Sequence, residues 1–215
     1  MICLRTLKVL SLPIVSALWV ASLSTPATAN VISPNSFNLW GTCGSPYLGS
    51  GGVIVPEGGS NCSVNMYGAV QNYAQQAGGF NYYGCFKGGS NAPSSSNEEA
   101  VFLTDDVNNW TGHEFGFVKT LNDNSLKAYL QGGGNYITRV LSNGDNGYHT
   151  FQCQCQSGDH SKVDFYVDGV YKFTLQNPGS SYWYNWDYFV GTTHRTSGGW
   201  SSTGQQIEMY SMNVW

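Results

Sequence analysis

Two glutamates occupy positions from which they could do acid/base chemistry. In His113-Glu114-Phe115-Gly116-Phe117-Val118, the two phenylalanines share one face of an extended strand and Glu114 falls on the other. Glu208 alternates in the same way between Ile207 and Met209. Facing each other across a groove, such carboxylates would be the acid/base pair of glycoside cleavage, about 5 Å apart for retention and wider for inversion. The pattern fits equally well two solvated carboxylates on the polar faces of strands. Glu98-Glu99 and Asp105-Asp106 are adjacent pairs whose members point to opposite faces, so neither run forms a catalytic pair by itself.

Aromatic residues form a second candidate constellation. In Tyr182-Trp183-Tyr184-Asn185-Trp186-Asp187-Tyr188-Phe189, a period of two places Tyr182, Tyr184, Trp186 and Tyr188 on one face. Flat rings with polar edges suit sugar rings, whose C–H faces stack while neighbouring Asn, Asp and Gln side chains bond the hydroxyls. They also suit a sandwich core, where Tyr and Trp need only a hydrogen-bond partner. Trp110 and Trp200 lie in turn-rich polar segments, where packing alone explains a large ring less well, and are expected ligand contacts.

Other chemistry is thinly represented. Asp105-Asp106-Val107-Asn108-Asn109 could offer oxygen ligands to Ca²⁺, although it reads equally as an acidic turn, so no cofactor is expected beyond that option. Cys153-Gln154-Cys155 lacks the second Cys or His pair of a zinc site, and the four histidines do not cluster. Asn61-Cys62-Ser63 and Asn109-Trp110-Thr111 fit the glycosylation sequon.

The elements that must position these residues are short strands. After Glu98, aromatic and β-branched runs recur at roughly ten-residue spacing, separated by Gly-, Asn- and Asp-rich turns, a pattern of all-β sandwiches and barrels. Asp168-Gly169 between Phe165-Tyr166-Val167 and Val170-Tyr171-Lys172-Phe173 is a two-residue hairpin signal. Before Gly79 the pattern is irregular. There Val53-Ile54-Val55 reads as a short strand, and Val64 to Gln76 reads as strand rather than helix. No internal repeat is present.

The first 29 residues read as a secretory signal. Arg5 and Lys8 supply a positive start, Leu10 to Leu23 an apolar stretch, and Ala27-Thr28-Ala29 a small-x-small cleavage site. Residues 30–215 then form one domain, expected outside the cytoplasm. Loss of Arg5 and Lys8 takes the 9 basic residues to 7, against 13 acidic ones. So few cations exclude nucleic acid as a partner, and no later segment has the ~18 apolar residues of a membrane span. Cys43, Cys62, Cys85, Cys153 and Cys155 remain in an oxidising compartment, where an odd count leaves one over. The expected disulfides join Cys43 to Cys62 and Cys85 to Cys153 or Cys155. The last two are spaced to share one strand face and pair poorly with each other.

Two stretches resemble the concanavalin A-like lectin/glucanase superfamily. One runs from Gly147-Tyr148-His149-Thr150-Phe151 to Phe165-Tyr166-Val167-Asp168-Gly169; the other is the ending Gln205 to Trp215. The resemblance covers Glu98 to Trp215 and hardly touches Asn30 to Gly79. It implies a two-sheet antiparallel jelly-roll sandwich whose concave face handles carbohydrate. It also implies that retaining glucanases would carry Glu-x-Asp-x-(x)-Glu on one strand, which this chain lacks. The expected function is therefore a secreted, lectin-like domain binding polysaccharide or glycan. A glycoside hydrolase or polysaccharide lyase on the same fold is the alternative, and a surface interaction protein the third reading.

Overall fold

The computed structural model describes residues 30–41, 44–57, 62–69, 78–88, 98–105, 113–120, 124–132, 134–143, 146–156, 159–177, 188–195 and 206–215. The leader expected over 1–29 lies outside them. Fifteen strands are described: β1 (Asn30–Val31), β2 (Asn38–Gly41), β3 (Tyr47–Gly49), β4 (Gly52–Pro56), β5 (Cys62–Ala69), β6 (Gly79–Lys87), β7 (Glu98–Thr104), β8 (Glu114–Thr120), β9 (Ser125–Gly132), β10 (Asn135–Asn143), β11 (His149–Gln156), β12 (Asp159–Val167), β13 (Val170–Gln176), β14 (Tyr188–Arg195) and β15 (Gln206–Val214). Among the described residues the helical content is a single 3₁₀ turn, Pro34–Ser36.

The strands form two antiparallel sheets. Sheet A runs β13-β12-β11-β6-β15-β4-β3, with β1 also paired to β15; sheet B runs β10-β9-β8-β7-β14-β5-β2. This is the two-sheet jelly-roll sandwich expected from the sequence. The irregular segment before Gly79 completes it, since β1, β3 and β4 belong to sheet A, and β2 and β5 to sheet B. The β12–β13 hairpin turns on Asp168-Gly169, whose φ angles of 53° and 73° are those of the tight turn that this dipeptide favours. The Asp168 carboxylate steadies the turn, accepting from the Thr150 N–H at 2.9 Å and meeting His149 Nδ1 at 2.6 Å.

Alternation along each strand decides what lies between the sheets. Sheet A sends in Phe80, Tyr82, Phe86, Phe151 and Phe165; sheet B sends in Phe115, Phe117 and Phe189. Their rings interlock across the gap: Phe80 meets Phe189 edge-on at 5.1 Å, and Phe117 lies 5.2 Å from Phe151 and 5.6 Å from Phe165. Each such buried ring contributes about 1.5–3 kcal/mol. Two inward charged side chains tie the sheets together. Glu99 on β7 accepts from the Gln206 N–H of β15 at 2.8 Å, and Lys119 on β8 donates to the Phe86 carbonyl of β6 at 3.0 Å.

Cysteine placement corrects the expected disulfides. Cys153 and Cys155 both point into the core, as their spacing requires, while Cys85 is buried on the opposite face of the same sheet. A bond from Cys85 to either would have to pass through the sheet, and all three are free thiols. Cys43 and the side chain of Cys62 lie outside the described residues.

Candidate functional site

The outward face of sheet B brings two of the sequence candidates into one row. Register pairs Tyr188 with Thr104, Thr104 with Glu114, Glu114 with Gln131 and Gln131 with Tyr136. All five belong to the face away from the core, because Phe189, Leu103, Phe115 and Leu130, their immediate chain neighbours, point inward. At ~4.8 Å between strands the row is about 19 Å long. The next row, Val190, Phe102, Gly116, Tyr129 and Thr138, joins Ala100 and Val118 of the row beyond it in a second apolar cluster of Phe102, Val190, Tyr129, Val118 and Ala100, against which Tyr188 packs.

Glu114 is buried, and the Tyr129 hydroxyl donates to its Oε2 at 3.3 Å. Tyr129 also lies 5.7 Å from the Tyr136 ring, which is 55% exposed at the open end of the row. Beside it a cavity of about 290 Å³ is lined by Gln131, Gly132, Gly134, Asn135 and Tyr136. Burial and the carboxylates Glu98 and Glu114 push the Tyr136 phenol up to about 12. Burial pushes Tyr129 up as well, with Glu114 and Tyr136 adding to the shift. Both phenols therefore stay protonated at ordinary pH and act as hydrogen-bond donors rather than as bases.

A second carboxylate, Glu98, shares this face. It enters at the far end of β7, where Glu98 pairs with His194 of β14 and Thr120 of β8. Burial raises its carboxyl, and His194 and Lys127 offset part of that rise. Six residue steps along β7 lead from Glu98 to Thr104, the partner of Glu114, which is about 20 Å of backbone at ~3.3 Å per step. Two side chains cannot close that distance to the ~5 Å of a retaining pair. On β7 the outward positions read Glu98, Ala100, Phe102 and Thr104, so this strand presents one carboxylate there.

Glu208 is not the partner of Glu114. Its neighbours Ile207 and Met209 enter the core from sheet A, so Glu208 faces outward on the other side of the sandwich. The alternation read from sequence holds for both residues, but it fixes inward against outward without telling which sheet a strand joins. Glu208 is also fully engaged: Lys87, Tyr148, Tyr210 (3.0 Å) and Gln206 (2.6 Å) all donate to it. Burial alone would raise its carboxyl, yet the hydrogen bonds from Lys87, Tyr148 and Tyr210 hold it below the ordinary carboxylate value.

Of the aromatic candidates, Tyr188 is described and half-buried; Trp110, Tyr182, Tyr184, Trp186 and Trp200 lie outside the described residues. The same holds for Asp106 to Asn109 of the proposed calcium turn. Asp105, its first member, spends both oxygens on His113, accepting from the backbone N–H and meeting Nδ1, each at 2.8 Å. Among the described residues no cluster of His, Cys, Asp and Glu suits a metal ion. Tyr129 and Tyr136 are not among the residues that the sequence singles out, and Glu98 appears there only in the adjacent pair Glu98-Glu99. Tyr129 was legible, since Leu126, Ala128 and Leu130 alternate with Lys127 and Tyr129.

The fold is that of the concanavalin A-like jelly rolls. A β-glucanase from Bacillus licheniformis superposes with a TM-score of 0.55 at 12% identity, over 87% of this chain and 98% of that one. The Emp46p carbohydrate recognition domain, in its potassium-bound form, gives 0.55 at 12% over 84% and 88%. A laminarinase from Flavobacterium sp. UMI-01 gives 0.55 at 14% over 86% and 94%. No protein-family profile and no curated protein matches the sequence.

Proposed function

We propose that this protein is an exported carbohydrate-binding domain whose ligand sits in the cavity beside Tyr136, at the open end of the Tyr188–Tyr136 row of sheet B. The single observation that carries the reading is the open end of that row: the exposed Tyr136 ring and Gln131 border one concavity, with the protonated Tyr129 phenol and the buried Glu114 carboxylate in contact behind them. Small, largely pre-formed concavities with a few placed polar groups are the usual form of ligand sites. The signal-like first 29 residues support export. The fold neighbours include a carbohydrate recognition domain as well as a β-glucanase and a laminarinase, which supports the ligand class.

Binding is favoured over cleavage because the two outward carboxylates that the described residues place on this face are too far apart along their strands for a retaining pair. The test is to titrate the purified protein with soluble oligosaccharides from a polysaccharide panel, while assaying the same mixtures for new reducing ends and unsaturated uronates. Saturable binding without product, weakened at least tenfold in Tyr136→Ala, is expected. Product formation that disappears in Glu114→Gln would replace the binding reading with an enzyme, and binding unchanged in Tyr136→Ala would remove the site.

A further inference from the structure

The outward face of sheet A carries an aromatic surface that the proposed site does not use. Tyr83 on β6, Tyr148 just before β11 and Tyr210 on β15 form one patch, with Tyr148 centred 5.7 Å from Tyr83, nearly parallel to it, and 6.3 Å from Tyr210. Tyr47 on β3 lies towards one edge of the sheet, and the Tyr166–Tyr171 pair, 5.6 Å apart, towards the other. Tyr47, Tyr83, Tyr148 and Tyr171 expose between 41% and 53% of their area. From β13 to β3 the sheet takes six strand steps, so the rings are spread over about 29 Å at ~4.8 Å per step.

The patch is held in place from below. Glu208 anchors the hydroxyls of Tyr148 and Tyr210 together with the Lys87 ammonium, which also lies 5.6 Å from the centre of the Tyr148 ring. Gly52 gives Tyr210 its resting place, because a Cβ there would come within 2.4 Å of the Tyr210 ring and of the Met209 carbonyl oxygen. Rings fixed in this way lose little freedom on binding.

We infer that this face is a second saccharide surface, taking an extended neutral polysaccharide that stacks on Tyr83 and Tyr148. The charge pattern favours a neutral ligand: Lys87 and Glu208 cancel each other, and among the described residues no other cation stands against Tyr83, Tyr148 and Tyr210. Beside Tyr83, the next outward row of the sheet sets Tyr166, Gln152, Asn81 and Asn213 side by side, and Asn213 donates to Asn81 at 2.7 Å. Exposed phenols flanked by a row of amides match the alternating C–H faces and hydroxyl edges of pyranose rings. The inference shares only its ligand class with the proposed function, and the two surfaces lie on opposite sides of the core.

Depletion of the full chain from solution by insoluble neutral polysaccharides (microcrystalline cellulose, chitin and insoluble β-1,3-glucan) tests it. Retention on at least one of them is expected, weakened tenfold or more in Tyr83→Ala/Tyr148→Ala and kept in Tyr83→Phe. Tyr136→Ala should leave this retention intact. Retention unchanged in the double variant, or no retention of the wild type on any of the solids, overturns the second surface. A wild type that elutes as a dimer, with the double variant monomeric, overturns it in favour of a second copy of this chain. If solid binding needs Tyr83 while soluble binding ignores Tyr136, this surface stands and the sheet B site falls. Soluble oligosaccharide binding by the double variant, with a normal melting transition, shows that any loss on the solid is not misfolding.

Discussion

At the centre of sheet B the outward side chains are Phe102, Val118 and Val190, none more than 2% exposed; at the centre of sheet A they are Tyr83 and Tyr148, both above 40%. The two faces obey the same alternation and differ in what each asks of its outward residues. Sheet B buries a second apolar cluster outside the sandwich at its centre and exposes outward residues at its edges, among them Val140 and, beside the cavity, Tyr136. Sheet A leaves its rings open and immobilises them through one carboxylate. Burial is therefore no guide to which side of a sheet faces the core, and an outward residue can be structural on one face and available on the other.

The contrast can be broken most sharply by truncation. Phe102→Ala should cost about 3–5 kcal/mol, as a buried aromatic does, whereas Tyr83→Ala should stay within about 0.5 kcal/mol. Denaturant midpoints at constant slope would measure both. Equal costs would mean that the sheet A patch is as much a packing element as the sheet B cluster.

A smaller effect, of about 1 kcal/mol, is expected from Glu208→Gln, which removes the charge from the group that orders the sheet A rings. Because the folded carboxyl is held below its usual value of 4.5, its contribution is present above that pH and lost as pH falls through the folded value. The wild type should lose stability on acidification below about pH 4.5 in a step that the variant lacks, read from melting temperatures across a pH series. An identical acid limb in both would show that the ring anchor carries no net stability.

The finest test concerns a thiol. Cys85 lies buried beside Tyr148 and Glu208, and burial, with Glu208 adding, pushes it up towards the unreactive protonated form. Tyr148→Ala should add one thiol to those that react with a disulfide reagent in the native state, with Cys153 and Cys155 still silent in the core. No additional thiol would mean that Tyr148 is not the cover of Cys85.

Much of this was legible in the residues. The Asp168-Gly169 turn, the inward Phe115 and Phe117, the outward Glu114 and Glu208, and the shared face of Cys153 and Cys155 all follow from alternation and turn chemistry. Sheet membership did not. Glu114 and Glu208 share a pattern, and only the pairing of β8 with β7 and of β15 with β6 puts them on opposite sides. The expected Cys85 disulfide failed for the same reason. Residues 30–79 gave weak signals because β1 to β4 are 2 to 5 residues long, too short for a period to register.

The place of β15 has a consequence in time. This strand is the last of the fifteen in sequence order, yet it lies inside sheet A between β6 and β4 and also holds β1. Until residues 206–214 have been made, those strands lack their partner, and β6 and β4 present bare edges to whatever else is nearby. Closure of the sandwich is thus a late event that joins residues 206–214 to residues 30–31 and 53–56, and it belongs in the slow, millisecond-to-second regime of non-local β topologies. A chain cut short by even this one strand would lose more than an edge: it would divide sheet A in two.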